Sequence, residues 1–130
     1  MVLSVSTKTI KAQQLPALDI GDISELNGNA EIVRDKPYTA ELEFAIQQND
    51  QAVTKDGRLA IKFLDDSQVK LTEYSELVID EYIFNPDPSK SKMALKFTLG
   101  TARFITGSFN KIDKQNIKLS TPLYFVYLFY

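Results

Sequence analysis

Residues 59–84, LAIKFLDDSQVKLTEYSELVIDEYIF, restrict the fold more than any other stretch of this 130-residue chain. Leu59, Ile61 and Phe63 alternate with Ala60 and Lys62, the two-residue period of a strand with one buried face. The turn formers Leu64-Asp65-Asp66-Ser67 interrupt that period, and Val69 and Leu71 resume it around Lys70. A second polar break, residues 72–76, leads into residues 77–84, rich in Val, Ile, Tyr and Phe. Three short strands joined by tight turns are the signature of an all-β chain.

The same pattern extends in both directions. Residues 38–46 place Tyr38, Ala40, Leu42, Phe44 and Ile46 on one side and Thr39, Glu41, Glu43 and Ala45 on the other, which predicts a single nine-residue strand. Residues 30–34, 52–54, 93–99, 102–106 and 117–119 predict further strands. Asn27-Gly28 and Asp56-Gly57 are the strongest hairpin signals. Asp19–Asp22, Gln47–Asp50 and Gly100-Thr101 read as turns, and the prolines of NPDPSKSK, residues 85–92, mark a loop that no sheet interior can absorb. About nine or ten short strands at this spacing predict an antiparallel β-sandwich or a short twisted β-solenoid. No internal repeat supports a regular solenoid. One domain of this size buries roughly two-thirds of its unfolded surface. The division expected is residues 1–18 as a tail or edge strand, 19–122 as the domain and 123–130 as a hydrophobic closing segment.

The chain contains no histidine and no cysteine. That removes the usual zinc ligands, the commonest general base and the Cys-His and Ser-His nucleophile pairs. Three carboxylate pairs remain. Asp65/Asp66 sits where a turn wants aspartate, Asp80/Glu81 is adjacent on a strand and points to opposite faces, and Asp19/Asp22 lacks the spaced oxygens of a calcium loop. No catalytic residue, metal or cofactor is expected. No run approaches the roughly 18 apolar residues of a membrane span, and no leader pattern is visible at the start.

Charge is unevenly spread. Residues 19–50 carry eight acidic and two basic side chains, whereas residues 86–120 carry seven basic and two acidic. The basic set is Lys90, Lys92, Lys96, Arg103, Lys111, Lys114 and Lys118. Complementary strands lying side by side would explain the asymmetry. So would a basic surface for an anionic glycan or lipid headgroup, or head-to-tail association. Nucleic acid is not expected, because the chain is acidic overall and lacks a binding motif. The last eight residues, Leu123, Tyr124, Phe125, Val126, Tyr127, Leu128, Phe129 and Tyr130, hold five aromatics and no charged side chain. Such a segment must pair, either as a buried closing strand or as one that completes a neighbouring subunit, unless it is an accidental end.

Gly28-x-Ala30-x-Ile32-x-Arg34, then Asp50-x-x-Val53-Thr54, then Gly57 with Ala60, Ile61 and Phe63, form an ordered series of motifs. It continues through Asp65-Asp66-Ser67-x-Val69-x-Leu71, Ser75-x-Leu77-x-Ile79 and Gly100-x-Ala102-x-Phe104 to Thr121-Pro122. From about Ile20 to Pro122 the chain resembles the FecR-like domain family. Where that family favours Asp-Gly this chain has Asp65-Asp66, and where it favours glycine before aspartate it has Asn49-Asp50. Asn and Asp are the non-glycine residues most often found at positive φ, so both turns keep their geometry. The family pattern is lost after Pro122. The resemblance implies an all-β, extracytoplasmic, periplasmic or cell-surface module of envelope sensors, binding protein and signalling without catalysis. This chain has neither the membrane helix nor the anti-sigma segment of a complete regulator. The alternative expectation is a structural assembly protein of a virion or surface layer that oligomerises through residues 123–130.

Overall fold

The computed structural model describes residues 18–107 and 111–121, together with the backbone of residues 126–129. Twelve strands are described rather than nine or ten: β1 (Asp19–Asn27), β2 (Ala30–Val33), β3 (Pro37–Thr39), β4 (Ala45–Gln47), β5 (Gln51–Thr54), β6 (Arg58–Phe63), β7 (Gln68–Leu71), β8 (Glu76–Ile83), β9 (Lys92–Leu99), β10 (Ala102–Ile105), β11 (Ile117–Ser120) and β12 (Val126–Phe129). They form two six-stranded sheets, β12-β10-β7-β6-β1-β4 and β11-β9-β8-β5-β2-β3. Neither sheet closes into a barrel. Of the two expected architectures, the sandwich is the one formed.

The chain passes repeatedly from one sheet to the other. In both sheets, β1β2, β5β6, β7β8 and β9β10 neighbour one another in the same order, with antiparallel register. Each is in effect one long strand bent in the middle, so the sandwich is a four-stranded sheet folded along a seam. Asn27-Gly28 and Asp56-Gly57 therefore do not close hairpins. Each carries a strand from one sheet to the next, and the two lie against each other. A Cβ on Gly57 would stand 2.5 Å from both Asn27 O and Asn29 N, and Gly28 has φ +82°. Lys55 N donates to Asn29 O at 3.0 Å across the same pair. Thr54 and Ser75 continue the seam. Thr54 Oγ1 donates to Thr72 O (2.6 Å) and accepts from Ser75 N (2.8 Å), while Ser75 Oγ donates to Thr101 O (3.1 Å).

The alternation read from residues 59–84 holds where it matters. Ile61, Phe63, Val69, Leu71, Leu77 and Ile79 all enter the core with Leu95 and Phe104. Residues 38–46 do not form one strand. Tyr38 belongs to β3 in the second sheet and Ile46 to β4 in the first, and a turn with Glu43 at φ 68° separates them. Leu42, on the apolar side of the expected strand, is 60% exposed there. Period-two spacing survived across the break by coincidence of turn length. Two pairings are parallel, β10 with β12 and β11 with β9, which makes each sheet mixed rather than purely antiparallel. The hairpin from β6 to β7 turns through Asp66 at φ 70°, and Asn49 likewise sits at φ 73°, as their residue types suggest. No helix among the described residues is long and apolar enough to cross a membrane.

Gly57→Ala is expected to cost about 1–3 kcal/mol, since the added methyl meets backbone atoms that cannot rotate away. A lowered urea midpoint with an unchanged slope would show it; an unchanged midpoint would mean the seam is looser than described.

Candidate interaction surface

The two buried carboxylates, Asp50 and Asp65, are each committed to a lock. Asp50, 1% exposed, receives Arg34 through both carboxylate oxygens, Nε to Oδ1 at 2.7 Å and Nη2 to Oδ2 at 2.8 Å. Gln47 N adds a third donor at 2.8 Å. Arg34 also donates to Ala45 O at 3.0 Å, and its guanidinium lies 5.5 and 5.4 Å from the ring centres of Tyr38 and Phe44. One arginine after β2 thus pins the start of β4, bridging the two sheets at their β3/β4 edge. Arg34 and Asp50 both fall within the ordered motifs, but as separate positions with nothing to announce the pair.

Asp65 makes the second lock. Its carboxylate accepts Tyr82 OH at 2.6 Å and Ser67 Oγ at 2.8 Å, and Asp65 N donates back to the Tyr82 oxygen at 3.0 Å. Phe63 stacks on Tyr82 with ring centres 5.1 Å apart. Burial, then the bond to Asp65, push the Tyr82 phenol far above its ordinary pKa of 10.0. Asp66, next in sequence, points to solvent instead. Lys111 bonds it at 2.7 Å and, with the Lys111 charge, holds its carboxyl below the usual carboxylate range. Asp80 and Glu81 straddle a bulge in β8, so strict alternation fails there: Asp80 is exposed and Glu81 half-buried, with Tyr82 inward. Among the described residues no group of three or more carboxylates is arranged to hold a metal ion.

The seven basic residues are not one surface. Lys92 and Lys96 on β9 and Lys118 on β11 are exposed on the outer face of the second sheet. Lys90 and Lys114 lie in exposed 3-10 turns that touch through Asp113 N to Pro88 O (3.2 Å) and Asn116 Nδ2 to Ser89 O (3.1 Å). Arg103 is on the first sheet, and Lys111 bonds to the β6–β7 hairpin. Nor do the acidic and basic segments lie side by side. Residues 19–50 build β1 to β4 at one edge of the sandwich, and residues 86–120 build β9 to β11 toward the other, with β5 to β8 between. Of residues 123–130, Leu123, Tyr124, Phe125 and Tyr130 lie outside the described residues, and Val126–Phe129 is described as backbone only, an edge strand beside β10. The expected tail, residues 1–18, is described only at Leu18.

One concavity was not anticipated. It is a groove of about 660 Å³ on the outer face of the first sheet, lined by residues 25–27, 58–60, 70–72 and 101–103. Each of the four bent strands contributes its three residues nearest the seam. Leu59, Leu71 and Ala102 are core residues, so Arg58, Ala60, Lys70, Thr72, Thr101 and Arg103 point the other way, into the groove. Register sets Glu25, Ala60, Lys70 and Arg103 in one row across the sheet. Arg58 bonds Glu73 and Lys70 bonds Glu25, each at 3.2 Å and each on exposed side chains. Spacing around the seam turns was the one sequence signal that could have found this set, had those turns been read as sheet crossings.

Family models, curated proteins and solved structures give no match to this chain. The surface must therefore be judged on its own geometry.

Arg34→Ala should destabilise the fold by roughly 3–5 kcal/mol by stranding a buried carboxylate, and Arg34→Lys should restore only part, lacking the two-pronged geometry. Denaturant titration would read both. Folding favours the neutral Tyr82 phenol, so that contribution is complete below pH 10 and declines as pH rises beyond it. Tyr82→Phe should lower stability near neutrality by about 1–3 kcal/mol and flatten the alkaline loss. Parallel curves for both proteins above pH 10 would contradict the lock.

Proposed function

We propose that this chain is a non-catalytic protein-interaction module, similar to FecR-like domains. The observation that carries the reading is the groove at the seam, a concave, cation- and hydroxyl-lined surface assembled from four strands on a hydrogen-bonded framework. Binding surfaces gain precision when they rest on rigid elements rather than loops. The buried carboxylates Asp50 and Asp65 already take part in structural bonds. The ordered motifs from about Ile20 to Pro122 support an extracytoplasmic setting in the cell envelope, with a signalling partner.

A photo-crosslinking residue at position 101, in the groove, is expected to give a discrete protein adduct in cells. The purified chain should scatter light as a 14.7 kDa monomer. A fixed oligomer that dissociates on removal of residues 123–130, with its β spectrum retained, would support the assembly protein instead. Absence of adducts from position 101 and from position 118 on the opposite sheet would overturn the interaction reading.

A further inference from the structure

The groove lining contains three cations, Arg58, Lys70 and Arg103, against two carboxylates, Glu25 in the lining and Glu73 bonded to Arg58. That is a positive locality on a chain whose net charge is −2. Glu73 engages Arg58 through Nε, one of five N–H donors a guanidinium carries, and Glu25 engages one ammonium of three donors. Exposed ion pairs of this sort are weak and exchange readily for an incoming carboxylate.

A second observation lies two residues beyond Thr72. Tyr74 sits in the seam at φ 54°, a conformation costly for a bulky side chain, held by Tyr74 N to Lys55 O at 2.8 Å. Its ring is 63% exposed, so core packing does not account for an aromatic there, where glycine or asparagine would fit without strain. A strained, exposed tyrosine, next in sequence to the Glu73 that bonds Arg58, is a residue type enriched in binding hot spots.

We propose that the groove receives an extended acidic segment of a partner protein, with its carboxylates on Arg58 and Lys70 and its flank on Tyr74. This rests on the interaction-module reading and names the partner's chemistry. Glu25 favours a peptide over a uniform polyanion: it repels every unit of a polyuronate or an anionic lipid surface, but it accepts a backbone N–H. Thr101 offers a hydroxyl to the same backbone, whereas the Thr72 hydroxyl already donates to Thr101 O at 3.3 Å.

The test titrates the labelled full chain, followed by amide NMR, with a short synthetic peptide alternating Glu and Val. A Lys-Val peptide, polygalacturonate and phosphatidylglycerol vesicles are the comparisons. Expected are shifts at residues 58–60, 70–72, 74 and 101–103 with the acidic peptide, weakened about tenfold by Arg58→Ala or Lys70→Ala and by added salt. Tyr74→Gly should weaken binding while leaving thermal stability equal or higher, which a merely structural tyrosine would not do. The proposal falls if the acidic peptide perturbs nothing, if it perturbs Lys92, Lys96 and Lys118 instead, or if Tyr74→Gly lowers stability and spares binding. Stronger groove shifts with polygalacturonate or vesicles would also overturn it. An adduct at position 101 without acidic-peptide binding would reject the acidic partner alone, leaving the module reading in place.

Discussion

Backbone must touch backbone where the sheet folds. Gly28 and Gly57 approach so closely that neither has room for a side chain, and Gly100 meets Ser75 in the same way, with a Cβ placed 2.2 Å from Ser75 Oγ. Bending four adjacent strands at one line disrupts their ladders together. The lost partners are replaced by a run of bonds along the seam: Lys55 N to Asn29 O, Tyr74 N to Lys55 O, Thr54 N to Ser75 O and Thr72 N to Thr101 O. The hydroxyls of Thr54 and Ser75 fill the remaining positions, which is why two small polar residues are buried there. If this line opened, both sheets would lose their common register, because every long strand crosses it.

Away from the seam, the two sheets are tied by single buried polar contacts. Tyr82 of the second sheet reaches Asp65 in the β6–β7 hairpin of the first, and Arg34 reaches from the end of β2 to Ala45 at the start of β4. Neither lock leaves a buried side-chain donor or acceptor unpaired among the described residues. Arg34 also helps to blunt an edge. β3 is three residues long and begins with Pro37, and β4 is equally short with its first carbonyl already bonded. Short strands, proline and occupied carbonyls are how sheets avoid pairing with strangers.

Much of the fold was legible because burial on one face imposes a period that composition cannot hide. Residues 59–63, 68–71, 77–79 and 93–97 follow it, and their strands sit where alternation puts them. The positive-φ turns at Asn49 and Asp66 were legible for the same local reason, residue type. What failed was non-local. Gly-containing turns look alike whether the chain returns to its own sheet or departs for another, so Asn27-Gly28 was read as a hairpin. The strand expected over residues 38–46 failed because alternation counts residues, and a turn of suitable length preserves the count. The groove was invisible for both reasons: Glu25, Arg58, Lys70 and Thr101 become neighbours only once the seam aligns four crossings. Arg34 and Asp50, 16 residues apart, lacked any pattern announcing a pair.

The seam also explains why a concave surface forms on the first sheet beside it. Strands entering a bend twist more strongly, and the bulge between Ile23 and Glu25 adds to that on β1. Outward side chains therefore converge on one side over the last residues before the crossing, and the small Ala60 lets Lys70 reach across it to Glu25. The geometry is maintained by backbone approach and buried hydroxyls on the inside of the fold, not by the side chains that line the hollow. Arg58, Lys70 and Thr101 can thus change identity at little cost to the sheet, while Gly57 and Ser75 cannot. The shape of this surface is fixed by one set of residues and its chemistry is set by another.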